Sequence, residues 1–324
     1  MPLNPNRAGH CCGCTVLVST FTFRWSRRDS PSRRSPSATM QLGSIARLWK
    51  RESRTYEGNL FVASAEGRGR DVVFVHGLGA SPQCWEQAAE LVGPGVRCHF
   101  IHIRGFAGEA PSADHIQGDF LKPFADELAV YLRLHTKGGA AVVGHSMGGI
   151  ASLILARDHP GVVRRLMVVD VPAFFSVLIN PFASNGAMAS FAEATRRRFV
   201  ENDQAMFESQ LRAAAQKLAT HPIAVERIIH WGITSDRQMT ADVMAEVMTT
   251  DLRPDLARIA CPVEVLYAWD RAGAATRAGL EQIYASTYSG LANRRLLRID
   301  NARHYIMFDQ PEVFYHAVRD WLAH

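Results

Sequence analysis

The chain has 324 residues, of which 47% are hydrophobic and 21% are charged, so it holds enough apolar material for a large core and global disorder is excluded. The formal net charge of +5 is carried by residues 1–40, where six arginines stand against one acid. The remaining chain is close to neutral and has no nucleic-acid motif, which argues against a nucleic-acid partner. No apolar run approaches the roughly 18 residues that a stable membrane span needs.

From residue 71 onward, short apolar runs alternate with stretches of helical spacing. The runs predict buried strands at 71–77, 96–103, 140–145, 165–170, 263–269 and 294–299. The spacing between them predicts helices from Gln83 onward and at 118–135, 146–159, 276–288 and 311–322. This order predicts an α/β fold with a mostly parallel, doubly wound sheet. We expect the first strands, within 55–64, to form an antiparallel edge.

The alternation stops between residues 173 and 252. This stretch is rich in Ala, Met, Phe, Arg and Glu, has helical spacing at 188–218 and 241–248, and contains no convincing buried strand. We therefore predict an α/β core at 40–172 and 253–324, interrupted by a helical lid at 173–252. Residues 1–39 are expected to be a disordered basic extension.

Residues 144–148 read Gly-His-Ser-Met-Gly, a match to the pattern G-x-S-x-G. The match lies between an apolar run and a predicted helix, which is the setting of a strained strand-to-helix turn that exposes a serine. Side chains two residues before and after the serine would collide in such a turn, so glycine is needed there. The pattern predicts Ser146 as a nucleophile and the N–H of Met147, at a helix N-terminus, as an oxyanion donor.

A second oxyanion donor is expected in the segment 76–80, His-Gly-Leu-Gly-Ala, which follows the strand predicted at 71–77. Glycines at 77 and 79 let the backbone bend and come close to a ligand. The N–H of Leu78 is the predicted donor. His76 and His145 are interpreted as structural imidazoles and not as bases, because neighbours in sequence need not lie within hydrogen-bonding distance.

The general base is expected late in the chain, in a loop after the final strand. His304 follows the strand predicted at 294–299, and an imidazole suits proton transfer near neutral pH. The orienting acid should lie between nucleophile and base in chain order. We assign it to Asp270, which follows the strand at 263–269, with Asp170 as the alternative. An Asp that ends a strand also commonly bonds to its own turn.

The segments HGLGAS, GHSMGG and RHYIMFDQPEVF, with a late Asp, resemble the α/β-hydrolase superfamily over about residues 55–322. The resemblance is especially to bacterial α/β-fold hydrolases that carry a segment like MTTDLRPDLARIACPVEVLYAWD. It implies a Ser-Asp/Glu-His triad, a two-amide oxyanion hole, a helical lid over the site, and no metal or other cofactor. The chain departs from the family in one place. In many members the acid stands a few residues beyond a strand-ending glycine, whereas Asp270 takes the place of that glycine.

Together these features predict a serine hydrolase that cleaves a carboxylic ester or related acyl bond of a small, apolar substrate. Carbon–carbon bond hydrolysis or lactone hydrolysis by the same triad is an alternative. A non-catalytic ligand-binding member of the fold is an alternative of another class. We expect a cytoplasmic location, with export left open, and the sequence leaves the oligomeric state open.

Overall fold

The computed structural model describes residues 54–113, 118–273 and 275–324. The extension predicted at 1–39 lies outside these residues. The described part is built around one sheet of eight strands in the order β1-β2-β4-β3-β5-β6-β7-β8. The strands are Arg54–Glu57 (β1), Phe61–Gly67 (β2), Arg70–Val75 (β3), Val96–Ile103 (β4), Ala140–His145 (β5), Val163–Val169 (β6), Val263–Trp269 (β7) and Arg294–Asp300 (β8).

The strands from β3 to β8 are parallel, and β1 and β2 form an antiparallel edge. This confirms the predicted fold class and the predicted edge. Every strand predicted from residue 71 onward is present, although β3 ends at Val75, two residues before the predicted end. The chain order reverses between β3 and β5, and because β3 to β8 are parallel, the carboxyl ends of β3, β5, β6 and β7 share one edge of the sheet.

Helices cover both faces of the sheet. They are Ala88–Leu91 (α1), Leu121–His135 (α2), Met147–Asp158 (α3), Asn185–Glu201 (α4), Gln204–Leu218 (α5), Pro222–Thr234 (α6), Arg237–Thr249 (α7), Arg277–Thr287 (α8), Ile306–Asp309 (α9) and Pro311–Ala323 (α10). Short 3₁₀ helices occupy Pro82–Trp85, Phe175–Leu178 and Arg253–Arg258. The helix predicted from Gln83 is therefore two short pieces, a 3₁₀ turn that starts at Pro82 and then α1.

Alternation along the strands divides the core into two layers. On β3, Val73 and Val75 join the cluster that includes α2 and α3, whereas Val72 and Phe74 join the cluster that includes α10. Successive strand residues point to opposite faces, so a strand that is apolar throughout must be covered on both sides. Such burial stabilises the fold by roughly 1.5–3 kcal/mol per large apolar side chain.

The helices α4 to α7 all fall between β6 and β7, in the stretch where the sequence lacks strands. We call residues 173–252 the insertion. Its own small cluster of buried residues includes Phe174, Met188 and Met248. Glu246 of α7 accepts hydrogen bonds from the backbone N–H groups of Phe120 and Leu121, at the start of α2. This contact caps α2, which begins at Leu121 and not at the predicted residue 118.

No helix in the described ranges is both long enough and apolar enough to cross a bilayer.

Candidate active site

Ser146 is the single residue between β5 and α3, and its backbone is strained. Its backbone has φ 55° and ψ −124°, outside the regions that non-glycine residues favour. A Cβ at Gly144 would lie 2.5 Å from the Gly148 carbonyl oxygen, and one at Gly148 would lie 2.5 Å from the His76 carbonyl oxygen. Glycine is therefore required at both positions. Ser146 is partly exposed, whereas His145 and Met147 are buried, so the turn presents the serine to the surface of the site.

The loop after β3 lies directly against this turn. A Cβ added to Gly77 would sit 3.0 Å from the Cβ of Ser146. Leu78, the next residue, is half-buried, and Gly79 adopts φ 59°. Met147 is the first residue of α3, where backbone N–H groups lack helical partners. Of the two predicted oxyanion donors, Leu78 thus follows the glycine that approaches Ser146, and Met147 follows Ser146 at the start of α3.

His76 serves this loop as a structural group, in line with its interpretation from sequence. Its Nδ1 donates to the Gly77 carbonyl oxygen at 2.8 Å, and its Nε2 accepts from the Ile103 N–H at 3.1 Å. Burial of the ring lowers the pKa of His76 to about 3, so the imidazole is neutral near pH 7. Both ring nitrogens are used inside the protein, which leaves neither for proton transfer to a substrate.

His304 is paired with Asp170. The His304 Nδ1 lies 2.8 Å from Asp170 Oδ2, and because a carboxylate only accepts, Nδ1 carries the proton. The other oxygen of Asp170 accepts from the Ala268 N–H at 2.8 Å and from the Tyr284 hydroxyl at 3.3 Å. Asp170 is therefore fixed by three separate groups. This arrangement holds the imidazole in the tautomer whose Nε2 is free to accept a proton.

Asp270, the acid preferred from the sequence, does not contact His304 in the structure. Its Oδ2 accepts from the Arg303 Nε at 2.8 Å, and its Oδ1 accepts from the Ala272 N–H at 3.2 Å. Arg303 thereby lowers the pKa of the Asp270 carboxyl group. The assignment of Asp270 as partner of His304 was wrong, and the alternative, Asp170, occupies that position. The physical reason is local, because Arg303 holds the Asp270 carboxylate, whereas Asp170, with φ 55°, bonds to Ala268 of β7 and to His304.

His145 also contacts His304, a role that the sequence did not indicate. Its Nε2 donates to the His304 carbonyl oxygen at 2.9 Å, and the two ring centroids are 4.5 Å apart. Burial, with a further contribution from His304, holds the pKa of His145 well below its usual value, so it donates as a neutral group. Because residue 145 immediately precedes Ser146, this contact brings the His304 imidazole beside the serine turn. The two positions are 159 residues apart, and no local pattern could have revealed it.

The large apolar side chains of the insertion divide into two groups. Phe174 and Phe207 are buried in the packing of the insertion itself. Phe182, Phe191 and Met206 are exposed, with Phe182 92% exposed. Among the described residues, no group of three or more His, Cys, Asp or Glu side chains could hold a metal ion.

Comparison with known proteins shows which family the chain resembles. The model named Alpha/beta hydrolase family matches residues 72–317. A pimeloyl-[acyl-carrier protein] methyl ester esterase of Aromatoleum aromaticum is 28% identical over 256 residues, which cover 75% of this chain and 94% of that protein. An (E)-2-((N-methylformamido)methylene)succinate hydrolase of Acinetobacter baylyi is 22% identical, covering 79% of this chain and 92% of that protein.

Solved structures with low sequence identity share the fold. The enol-lactonase from Burkholderia xenovorans superposes with a TM-score of 0.64 at 18% identity, over 82% of this chain and 99% of that chain. An esterase from Exiguobacterium antarcticum gives a TM-score of 0.66 at 19% identity, over 82% of this chain and 96% of that chain. At such identities the likeness establishes the architecture alone.

Proposed function

The chain belongs to the α/β-hydrolase family and is an enzyme of it, and on that premise we propose that it is a serine hydrolase with the triad Ser146–His304–Asp170. Its substrate in this proposal is a small, apolar molecule with a carboxylic ester or related acyl bond. One observation carries the proposal. His304 contacts both Asp170 and His145, and His145 immediately precedes the strained turn at Ser146, which supports a pairing of His304 with Ser146.

The first half of the reaction forms an acyl-enzyme. The Nε2 of His304 removes the proton of the Ser146 hydroxyl as its oxygen attacks the carbonyl carbon of the ester. Asp170 accepts the Nδ1–H throughout and stabilises the imidazolium that forms. The carbonyl oxygen becomes an oxyanion, which the N–H groups of Leu78 and Met147 stabilise. Each such donor typically contributes about 10²–10³ to the rate.

The second half releases the acid. The imidazolium of His304 gives its proton to the departing alkoxide oxygen, so the alcohol leaves neutral. The neutral His304 then takes a proton from water, whose oxygen attacks the acyl carbon bound to Ser146. Collapse of the second tetrahedral intermediate breaks the bond to Ser146 and returns the proton to the serine oxygen. The N-terminal end of α3 favours the negative charge that develops at each attack.

The name of one relative supports an ester as substrate. The Aromatoleum protein is named as a methyl ester esterase, whereas the Acinetobacter protein is named as a hydrolase of a different compound. The serine in this chain, at the position of the nucleophile, favours an acyl-enzyme. We propose that the insertion covers the site as a lid, because Ser235, at its α6–α7 corner, contacts two loops at the carboxyl edge of the sheet. Ser235 Oγ lies 3.5 Å from the Gly79 carbonyl oxygen in the loop after β3, and it accepts from the Ala107 N–H in the loop after β4 at 2.9 Å.

The test is hydrolysis of p-nitrophenyl esters of increasing acyl length by the full chain. We expect turnover by the wild type and by Ser286→Ala, an exposed serine on α8 that serves as control. Ser146→Ala and His304→Ala should each lose at least about 10³-fold in kcat. Turnover by a folded Ser146→Ala variant at the wild-type rate would refute the proposal. Ester binding without turnover by the wild type would also count against an ester as the substrate.

A further inference from the structure

We propose, on the basis of the function above, that Arg303 and Asp270 form a positioning pair that fastens the loop of His304 to the α5–α6 turn of the insertion. Asp270 stands at the position where the sequence suggested the acid. In the structure its carboxylate accepts a hydrogen bond from Arg303 instead. The pair touches none of the reacting atoms in the proposed mechanism. The pair would affect catalysis indirectly, because Arg303 precedes His304 and fixes the position of its backbone.

Arg303 joins three elements. Its Nε donates to Asp270, just beyond the end of β7, at 2.8 Å. Its Nη1 donates to the carbonyl oxygens of Gln216 and Ala219, where α5 ends. The carboxylate also receives the Ala272 N–H, so Asp270 is fixed by its own turn while it holds the guanidinium. One side chain therefore connects the sheet, the insertion and the loop that carries His304, which we call the base loop.

The backbone on both sides of His304 is bound to the same turn of the insertion. The Tyr305 N–H donates to the Leu218 carbonyl oxygen at 3.0 Å. Asp309 accepts the Arg303 N–H on one oxygen, at 2.8 Å, and the Thr220 N–H and hydroxyl on the other, both at 2.8 Å. The base loop and residues 216–221 therefore form one hydrogen-bonded unit, which we call the base clasp.

The chemistry of the pair requires arginine. A planar guanidinium offers five donors in a rigid fork, so it can bond a carboxylate and two carbonyl oxygens at once, which a single ammonium cannot do in the same geometry. The side chain of Arg303 is 29% exposed and that of Asp270 is 19% exposed, so both are largely shielded from water. Removing Arg303 would leave the two carbonyls and the carboxylate without this donor, and the turn beside His304 would loosen.

A loosened base loop should affect turnover more than binding. The proposed mechanism needs the Nε2 of His304 within reach of the Ser146 hydroxyl, and a displacement of about 1 Å can cost on the order of 10² in rate. Asp170 and His145 would still hold the imidazole and the carbonyl of His304. We therefore expect a partial loss of kcat, smaller than the loss on removal of the triad acid.

The test compares Arg303→Ala, Arg303→Lys, Asp270→Asn and the double variant Asp270→Asn/Arg303→Ala in the full chain. We expect kcat to fall about 10- to 100-fold in Arg303→Ala and about 3- to 10-fold in Asp270→Asn, with KM within about twofold of the wild type. The double variant should lose no more than Arg303→Ala, because the two residues act as a unit. Arg303→Lys should restore part of the loss.

The matched control is Arg157→Ala. Arg157 is 16% exposed and also joins two elements by an ion pair, since its Nη1 donates to Asp255 at 3.0 Å, but it lies near the far end of α3. Its removal should lower the unfolding temperature and leave kcat unchanged. Assays for all variants are run well below their unfolding temperatures, so that lost stability alone does not lower kcat.

Three results would overturn the positioning pair. One is an Arg303→Ala variant whose kcat stays within about twofold of the wild type. Another is a loss that appears wholly in KM. The third is an Arg303→Ala/Asp170→Asn variant more active than Asp170→Asn, because Asp270 would then act as an acid once released. Ser146→Ala in the same series separates the proposals, since full activity there would refute the serine mechanism itself.

Discussion

The substitution Asp170→Asn should lower kcat strongly and leave the fold intact. The asparagine oxygen can still accept the Ala268 N–H, as Asp170 Oδ1 does now at 2.8 Å. Its amide nitrogen would then face His304 Nδ1, which at present donates to Asp170 Oδ2 at 2.8 Å. Two donors cannot pair, so the imidazole must move its proton to Nε2. That tautomer cannot accept the proton of Ser146.

The expected loss follows from this exchange of tautomers. An amide in place of the triad acid costs about 10⁴ in kcat in serine proteases with a comparable arrangement. We expect about 10³–10⁴ here, which corresponds to roughly 4–5.5 kcal/mol of lost transition-state stabilisation. KM should change little, since Asp170 lies behind His304, and urea unfolding should confirm a stable fold.

The assay is the initial rate of p-nitrophenyl ester hydrolysis by the full chain. Two other strand-end acids are the comparison. Asp300→Asn, whose carboxylate pairs with Arg298 at 2.7 Å at the end of β8, should leave kcat unchanged. Asp270→Asn should show only the smaller loss given above. A greater loss in Asp270→Asn than in Asp170→Asn would refute the assignment of the acid.

Three further predictions concern the groups around the triad. Gly77→Ala should lower kcat by about 10² or more with secondary structure intact by circular dichroism, because the new Cβ would sit 3.0 Å from the Cβ of Ser146; unchanged kcat would contradict the placement of this loop. His145→Phe should lower kcat about tenfold by removing the donor to the His304 carbonyl, with partial rescue in His145→Gln; equal activity of the two variants would count against that hydrogen bond. Because burial lowers the pKa of His76 to about 3 in the folded state, the unfolded chain takes up a proton first as pH falls below 6.5. His76 therefore adds stability above pH 6.5 that is lost between pH 6.5 and about 3, by roughly 1.4 kcal/mol per pH unit. Urea unfolding at pH 7 and pH 5 should show a shallower pH dependence in His76→Gln, and an identical dependence would contradict the neutral, buried imidazole.

The sequence could predict the sheet and the serine turn because both depend on local patterns. Buried parallel strands are rich in apolar residues, and the strands at β4, β5 and β7 could be located within a residue from that pattern. The turn at Ser146 needs glycine at 144 and 148 for steric reasons, which a single chain displays directly. The antiparallel edge was predicted only as a range, 55–64, and the bounds of its two strands, β1 and β2, could not be given.

The carboxylate partner of His304 could not be chosen from the sequence because both candidates follow a strand of the same sheet. The choice depends on the backbone conformation of Asp170, with φ 55°, and on the capture of Asp270 by Arg303. Neither feature produces a local sequence pattern. Contacts between distant residues, such as Tyr284 with Asp170 or His145 with His304, need the packed fold to be seen.

The measurement that tests the central claim most directly is the mass of the intact full chain after reaction with a fluorophosphonate, followed by mapping of the labelled peptide. A nucleophilic serine beside an imidazole should give one phosphonyl adduct, on Ser146. The adduct should be absent in Ser146→Ala and should form much more slowly in His304→Ala. A folded wild-type chain that stays unlabelled, or one labelled at another residue, would contradict a mechanism that runs through Ser146.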